Sequence, residues 1–342
     1  MRVRSPRRTV AARALSATAV LAVATGAAGA RRHLVMRRVA PALRNPWLYL
    51  PTLVNARTLP RLRRALAVTK PVADGVSMEE RRIRGMDGRP DVTVVIYRPA
   101  APGPSGAVLW LHGGGFVAGH PAGDHALASG LAAELGAVVV AVDYRLAPEH
   151  PFPAALDDVT AALDWLAASA DELGVDAARI AVAGASAGGG LAACLAQRAL
   201  DEGGPALVVQ CLVYPMLDDR TTRSRRGAGR IAWTPAANRF GWSAYLGGRG
   251  RTAPTPPPHA VAARRDDLTG LPPAWIGVGT LDLFHDESVE YARRLGVARV
   301  PCELHVVPGM YHGADAVAPD AVAMRAFREG WVGALRESLA SS

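Results

Sequence analysis

Seven short apolar runs recur between Val92 and Val307: Val92–Tyr97, Ala107–Leu111, Ala137–Val142, Ile180–Ala183, Leu207–Val213, Ala274–Val278 and Cys302–Val307. Most are apolar throughout rather than alternating with polar residues. A strand of that kind has both faces buried, which only a sheet covered on two sides provides. Between the runs lie helical stretches at 124–135, 154–168, 191–200, 288–295 and 321–339. Strand and helix in alternation predict a largely parallel α/β sheet with helices on both faces. At 342 residues the chain is long enough for one large domain of that kind with an insertion, or for two modest domains.

The fourth run leads into Gly184-Ala185-Ser186-Ala187-Gly188, with an Ala/Leu-rich helix after it. Strand, sharp turn and helix is the setting in which G-x-S-x-G exposes a serine hydroxyl. The small neighbours permit the turn, and the helix N-terminus favours negative charge developing beside the serine. Taken alone, the five residues also suit an ordinary strand-to-helix turn, so partners are required.

The second run supplies the first of them. His112-Gly113-Gly114-Gly115-Phe116 follows Ala107–Leu111 directly. Three glycines free the backbone to turn N–H groups inward. With the N–H of Ala187, Gly113, Gly114 and Gly115 are candidate oxyanion donors, and His112 shapes the loop. Among nine histidines, His312 is the candidate base. It stands in the turn Pro308–Gly313 after a strand, on the sheet edge that carries the serine. His305 lies within a strand, and His150 and His285 are expected in loops. The orienting acid is expected between serine and histidine in the chain, and Asp282 follows the run Ala274–Val278. Asp286 and Glu287 compete with it, but both suit the acidic first turn of the next helix.

The net charge of +9 is unevenly distributed. Residues 1–70 hold 15 Lys and Arg and no acid, which leaves 24 basic and 30 acidic residues in the remainder, a net −6. The mildly acidic body argues against nucleic-acid binding. Arg2, Arg4, Arg7 and Arg8 precede an uncharged run from Ala14 to Ala30, with Ala28-Gly29-Ala30 resembling a signal-peptidase site. The run is 17 residues, short of the ~20 a spanning helix needs. An export signal or anchor and a retained N-terminal helix fit equally, so cytoplasmic and cell-envelope or secreted locations both stand. The basic flanks suit contact with an anionic membrane surface. Residues 34–66 look helical between prolines. The segment 217–268 is too long for a simple crossover and is expected as an insertion over the site, pairing with the arm. Cys194, Cys211 and Cys302 match no metal or redox spacing, so no metal or organic cofactor is expected.

In this order the motifs resemble the hormone-sensitive-lipase group of α/β-hydrolase esterases. The resemblance rests on His112–Gly115, Gly184–Gly189, Asp143-Tyr144-Arg145-Leu146-Ala147-Pro148-Glu149, Pro151–Ala155, Gly270–Pro273 and Gly309–Gly313, and covers about residues 78 to 340. It implies an α/β-hydrolase fold with a helical cap. That cap would be built from a basic arm (1–70) and the 217–268 insertion of the 71–342 catalytic domain. It implies a serine carboxylesterase for short- to medium-chain esters, with Ser186, Asp282 and His312 as triad and Gly113–Gly115 with Ala187 as oxyanion donors. Arg145 and Glu149 would brace the loops beneath. An amidase or lactone hydrolase on the same triad and a ligand-binding relative without turnover are the alternatives. No oligomeric state follows. Two positions depart from the group's pattern: Ala185 stands where Asp or Glu commonly precedes the serine, and Leu283 where Pro commonly follows the acid.

Overall fold

The computed structural model describes residues 32–50, 52–86, 88–100, 106–221, 229–248 and 255–340. The candidate signal or anchor segment lies outside them, as do 222–228 and 249–254 of the insertion. Eight strands form one sheet: β1 Val76–Ile83, β2 Val92–Pro99, β3 Ala107–Leu111, β4 Val138–Asp143, β5 Ile180–Ala185, β6 Val209–Val213, β7 Ala274–Gly279 and β8 Cys302–Val307. Their order is β1-β2-β4-β3-β5-β6-β7-β8. β1 and β2 run antiparallel at one edge, and β3 to β8 are parallel.

Side chains of successive strand residues enter opposite layers. Leu109, Val140 and Val182 join one buried cluster, and Val108, Val139 and Ala183 the other. Helices Ala154–Ala168, Ala187–Glu202 and His285–Val297 contribute to the first layer, and His125–Leu135 and Val322–Ala340 to the second. Seven strands fall within two residues of their expected bounds. The helix expected at 288–295 begins three residues earlier, so His285 opens that helix rather than lying in a loop.

β1 has no signal in apolar periodicity. Its sequence is VSMEERRI, and nearly all of it is exposed or half-buried. It holds its place through backbone pairing with β2, and its charges suit a sheet edge that must not pair further.

Among its described residues the arm is helical only in pieces: 32–38, Pro41–Leu43, Pro46–Tyr49 and Leu59–Leu66. Met36, Val39, Leu43 and Leu48 are buried in the second layer. Arg63 donates to the carbonyls of Val117 (2.8 Å) and Ala147 (3.0 Å) and pairs with Glu149. The insertion carries a helix, Pro235–Tyr245, that apolar patterning did not predict. Phe116 stacks on Tyr245 (4.1 Å between centroids) and tilts against Trp242 (5.2 Å), which places that helix on the glycine loop.

Candidate active site

The order of strands across the sheet reverses at β3: β4 lies on one side of it and β5 on the other. In such sheets the crevice at the carboxyl ends of the two strands is where ligands sit. Register fixes what meets there. Leu111 pairs with Gly184, so the loop from His112 lies beside Ala185 and Ser186. A Cβ built on Gly113 would stand 3.4 Å from the Ser186 Cβ.

Ser186 has φ +58° and ψ −117°, a conformation that costs a non-glycine residue roughly 1–3 kcal/mol. Its neighbours hold it there. The Ser186 N–H donates to Val213 O at 2.9 Å, and its carbonyl accepts from Gly190 (3.0 Å) and Met216 (2.9 Å). The turn closes so tightly that a Cβ on Gly188 would lie 2.0 Å from Leu111 O. Only glycine fits that position.

β7 and β8 are adjacent, and the loops after them deliver the remaining side chains. His312 Nε2 is 2.9 Å from Ser186 Oγ, and its Nδ1 is 2.8 Å from Asp282 Oδ2. Asp282 is fully buried, and its other carboxylate oxygen accepts the Phe284 N–H at 2.9 Å. A neutral imidazole with Nδ1–H donated to the carboxylate leaves Nε2 free to accept the serine proton. The sequence-predicted serine, histidine and aspartate thus come together across three loops. Asp286 and Glu287 do not join them. Both stand in the first turn of the next helix, and Glu287 is buried there, accepting the Leu217 N–H at 2.7 Å.

The glycine loop turns at Gly114, whose φ of +130° and approach to Ala118 O leave no room for a side chain. Among the described residues, no backbone carbonyl in a turn or loop accepts from the N–H groups of Gly113, Gly114, Gly115 or Ala187. Ala187 opens the helix Ala187–Glu202, where the first N–H groups lack intrahelical partners. His112 stacks on Tyr144 (4.2 Å, 13°), and its Nδ1 meets Gly113 O at 2.9 Å. Burial pushes its pKa down to about 4, so it is a neutral brace for the loop.

Three aromatic residues that sequence reasoning passed over confine His312. Phe284 meets the ring edge-on at 5.1 Å, Tyr214 at 4.9 Å, and Trp233 is tilted at 6.4 Å. Tyr214 could have been found, since it follows β6 at the same sheet edge. Trp233 could not, because its position comes from the insertion folding back. The Tyr214 hydroxyl donates to Asp315 (3.0 and 3.1 Å), and Trp110 Nε1–H to Asp124 (2.9 Å). Burial raises the pKa of both carboxyls, against the opposing pull of those donors. The cavity over Ser186 measures about 680 Å³, and its apolar walls include Leu62, Leu66, Trp110, Leu127 and Trp233. Among the described residues no cluster of His, Cys, Asp and Glu could hold a metal ion.

A family model for the α/β-hydrolase fold matches residues 108–316. The carboxylesterase NlhH of Mycobacterium tuberculosis is 41% identical over 243 residues, which cover 69% of this chain and 75% of that protein. Among solved structures, the esterase LipW from Mycobacterium marinum aligns with a TM-score of 0.81 at 38% identity, over 90% of this chain and 98% of its own. A bacterial heroin esterase aligns with a TM-score of 0.82 at 37% identity, over 90% and 99%.

Proposed function

The chain belongs to the hormone-sensitive-lipase group of α/β hydrolases and is a carboxylic ester hydrolase, and from that premise we propose that Ser186, His312 and Asp282 carry the reaction. The observation that supports this reading is the continuous relay of 2.9 Å and 2.8 Å from serine through histidine to a buried carboxylate. His312 Nε2 takes the Ser186 proton as Oγ bonds to the ester carbonyl carbon. The carbonyl oxygen gains negative charge and accepts from N–H groups among those of Gly113, Gly114, Gly115 and Ala187. Such donors are worth about 3–4 kcal/mol each at the transition state. The imidazolium, stabilised by Asp282, returns its proton to the departing alcohol. Water then repeats the sequence on the acyl-enzyme.

The arm and the 217–268 insertion act as a cap. Trp233 lies against Gly115, where an added Cβ would stand 2.2 Å from its ring. A cavity of about 680 Å³ with apolar walls suits short- to medium-chain esters. Replacing Ser186 with Ala should reduce p-nitrophenyl butyrate hydrolysis at least ~10³-fold. Near wild-type turnover by that variant would overturn the assignment. A series of p-nitrophenyl esters should show the rate falling once the acyl chain outgrows the cavity.

A further inference from the structure

Seven of the twelve exposed large hydrophobic side chains among the described residues lie between Leu34 and Val68. Trp47 is 75% exposed, Leu53 65%, Leu50 57% and Tyr49 47%. A concentration of this kind, unlike single exposed residues, marks a contact surface. The segment is also held in place. Leu48, between Trp47 and Tyr49, is buried, and Arg32 Nε donates to Leu48 O at 2.9 Å. The backbone is therefore fixed with the neighbouring side chains turned to solvent.

Charge identifies the occupant. The chain has no acidic residue before Asp74, and Arg37, Arg57, Arg61 and Arg64 are exposed in the same segment as the apolar side chains. None of the four takes part in a salt bridge among the described residues. Tryptophan, tyrosine and leucine interleaved with arginine fit the boundary between lipid headgroups and acyl chains. A protein face would have to supply acids over the whole stretch, whereas an anionic bilayer supplies them everywhere.

The patch adjoins the catalytic cavity. Thr52 and Val54, on either side of Leu53, line it, as do Leu62, Leu66 and Val68. We infer that the described residues of 34–68 form an anionic-membrane docking surface that sets the mouth of the cavity against the lipid, so that esters dissolved in the bilayer reach Ser186. The second half of that inference rests on the esterase reading, while the docking does not.

The test uses full-length protein and sedimentation with vesicles of equal parts phosphatidylcholine and phosphatidylglycerol. The wild type should bind these, bind phosphatidylcholine vesicles at least about tenfold less, and release in about 1 M salt, where the screening length falls to about 3 Å. The triple variant Trp47→Ser, Leu50→Ser, Leu53→Ser and the charge-reversal variant Arg57→Glu, Arg61→Glu, Arg64→Glu should each lose at least about tenfold in vesicle binding. The serine variant should still hydrolyse soluble p-nitrophenyl butyrate at the wild-type rate. Ser186→Ala should still bind vesicles, so failure of docking and failure of the esterase reading are separable. Equal binding by wild type and variants, or indifference to lipid charge, overturns the inference. So does a dimer, seen by light scattering, that the serine variant abolishes.

Discussion

His112 begins the glycine loop, yet burial with its ring stacked on Tyr144 excludes it from proton transfer at neutral pH. Its pKa falls from an ordinary 6.5 to about 4, so the unfolded chain binds more protons than the folded one between those values. Stability from this site is complete above pH ~6.5 and is lost as pH falls toward 4, by roughly 3 kcal/mol. The raised carboxyls of Asp124 and Asp315 act in the opposite sense, because the folded state takes up their protons first. A comparison of urea unfolding between pH 7 and pH 4 in wild type and His112→Asn isolates the histidine. The wild type should lose more stability over that interval than the variant. That Ser186, Asp282 and His312 would stand at one edge of the sheet was legible because each follows the end of a strand. Trp233 and Phe284 were not assigned, since apolar side chains carry no local mark of which ring they will meet, whereas Tyr214 was passed over although it follows β6 at the same sheet edge.

Between β4 and the helix Ala154–Ala168, the loop 144–153 is held by an ion pair between the half-buried Arg145 and a buried carboxylate. Arg145 donates to Asp158 at 2.7 Å through Nη2 and at 2.8 Å through its backbone N–H, and Asp158 is 2% exposed. Removing the guanidinium leaves a buried carboxylate with the backbone donor alone. Arg145→Ala should therefore cost about 3 kcal/mol in urea unfolding. The double variant Arg145→Met, Asp158→Leu should recover part of that loss, since no charge is then buried. On the far side of the same loop Glu149 meets Arg63 of the arm, an exposed pair worth far less. At this scale the sequence was read best where a strand is buried on both faces. β1 and the helix Pro235–Tyr245 escaped because one is an exposed edge and the other packs through a few aromatic residues on Phe116.

Across the whole molecule the described residues of the basic arm, from 32 on, are part of the fold rather than an appendage to it. Met36, Val39, Leu43 and Leu48 complete the layer that also holds Trp331 and Phe327. Burial of each contributes about 1.5–3 kcal/mol, so a chain beginning after residue 50 should unfold at markedly lower urea, with several kcal/mol lost. An unchanged midpoint would show that the arm is dispensable to the core. Sequence alone determined that a two-sided sheet would form and which strand ends would carry serine, acid and histidine. Those features follow from local apolar runs, turn glycines and chain order. Tertiary structure alone decided that Leu111 meets Gly184, that Trp233 roofs the glycine loop, and that Trp47 and Leu53 are left facing water. Each depends on which surfaces remain uncovered once distant segments have packed, and no short stretch of chain encodes that.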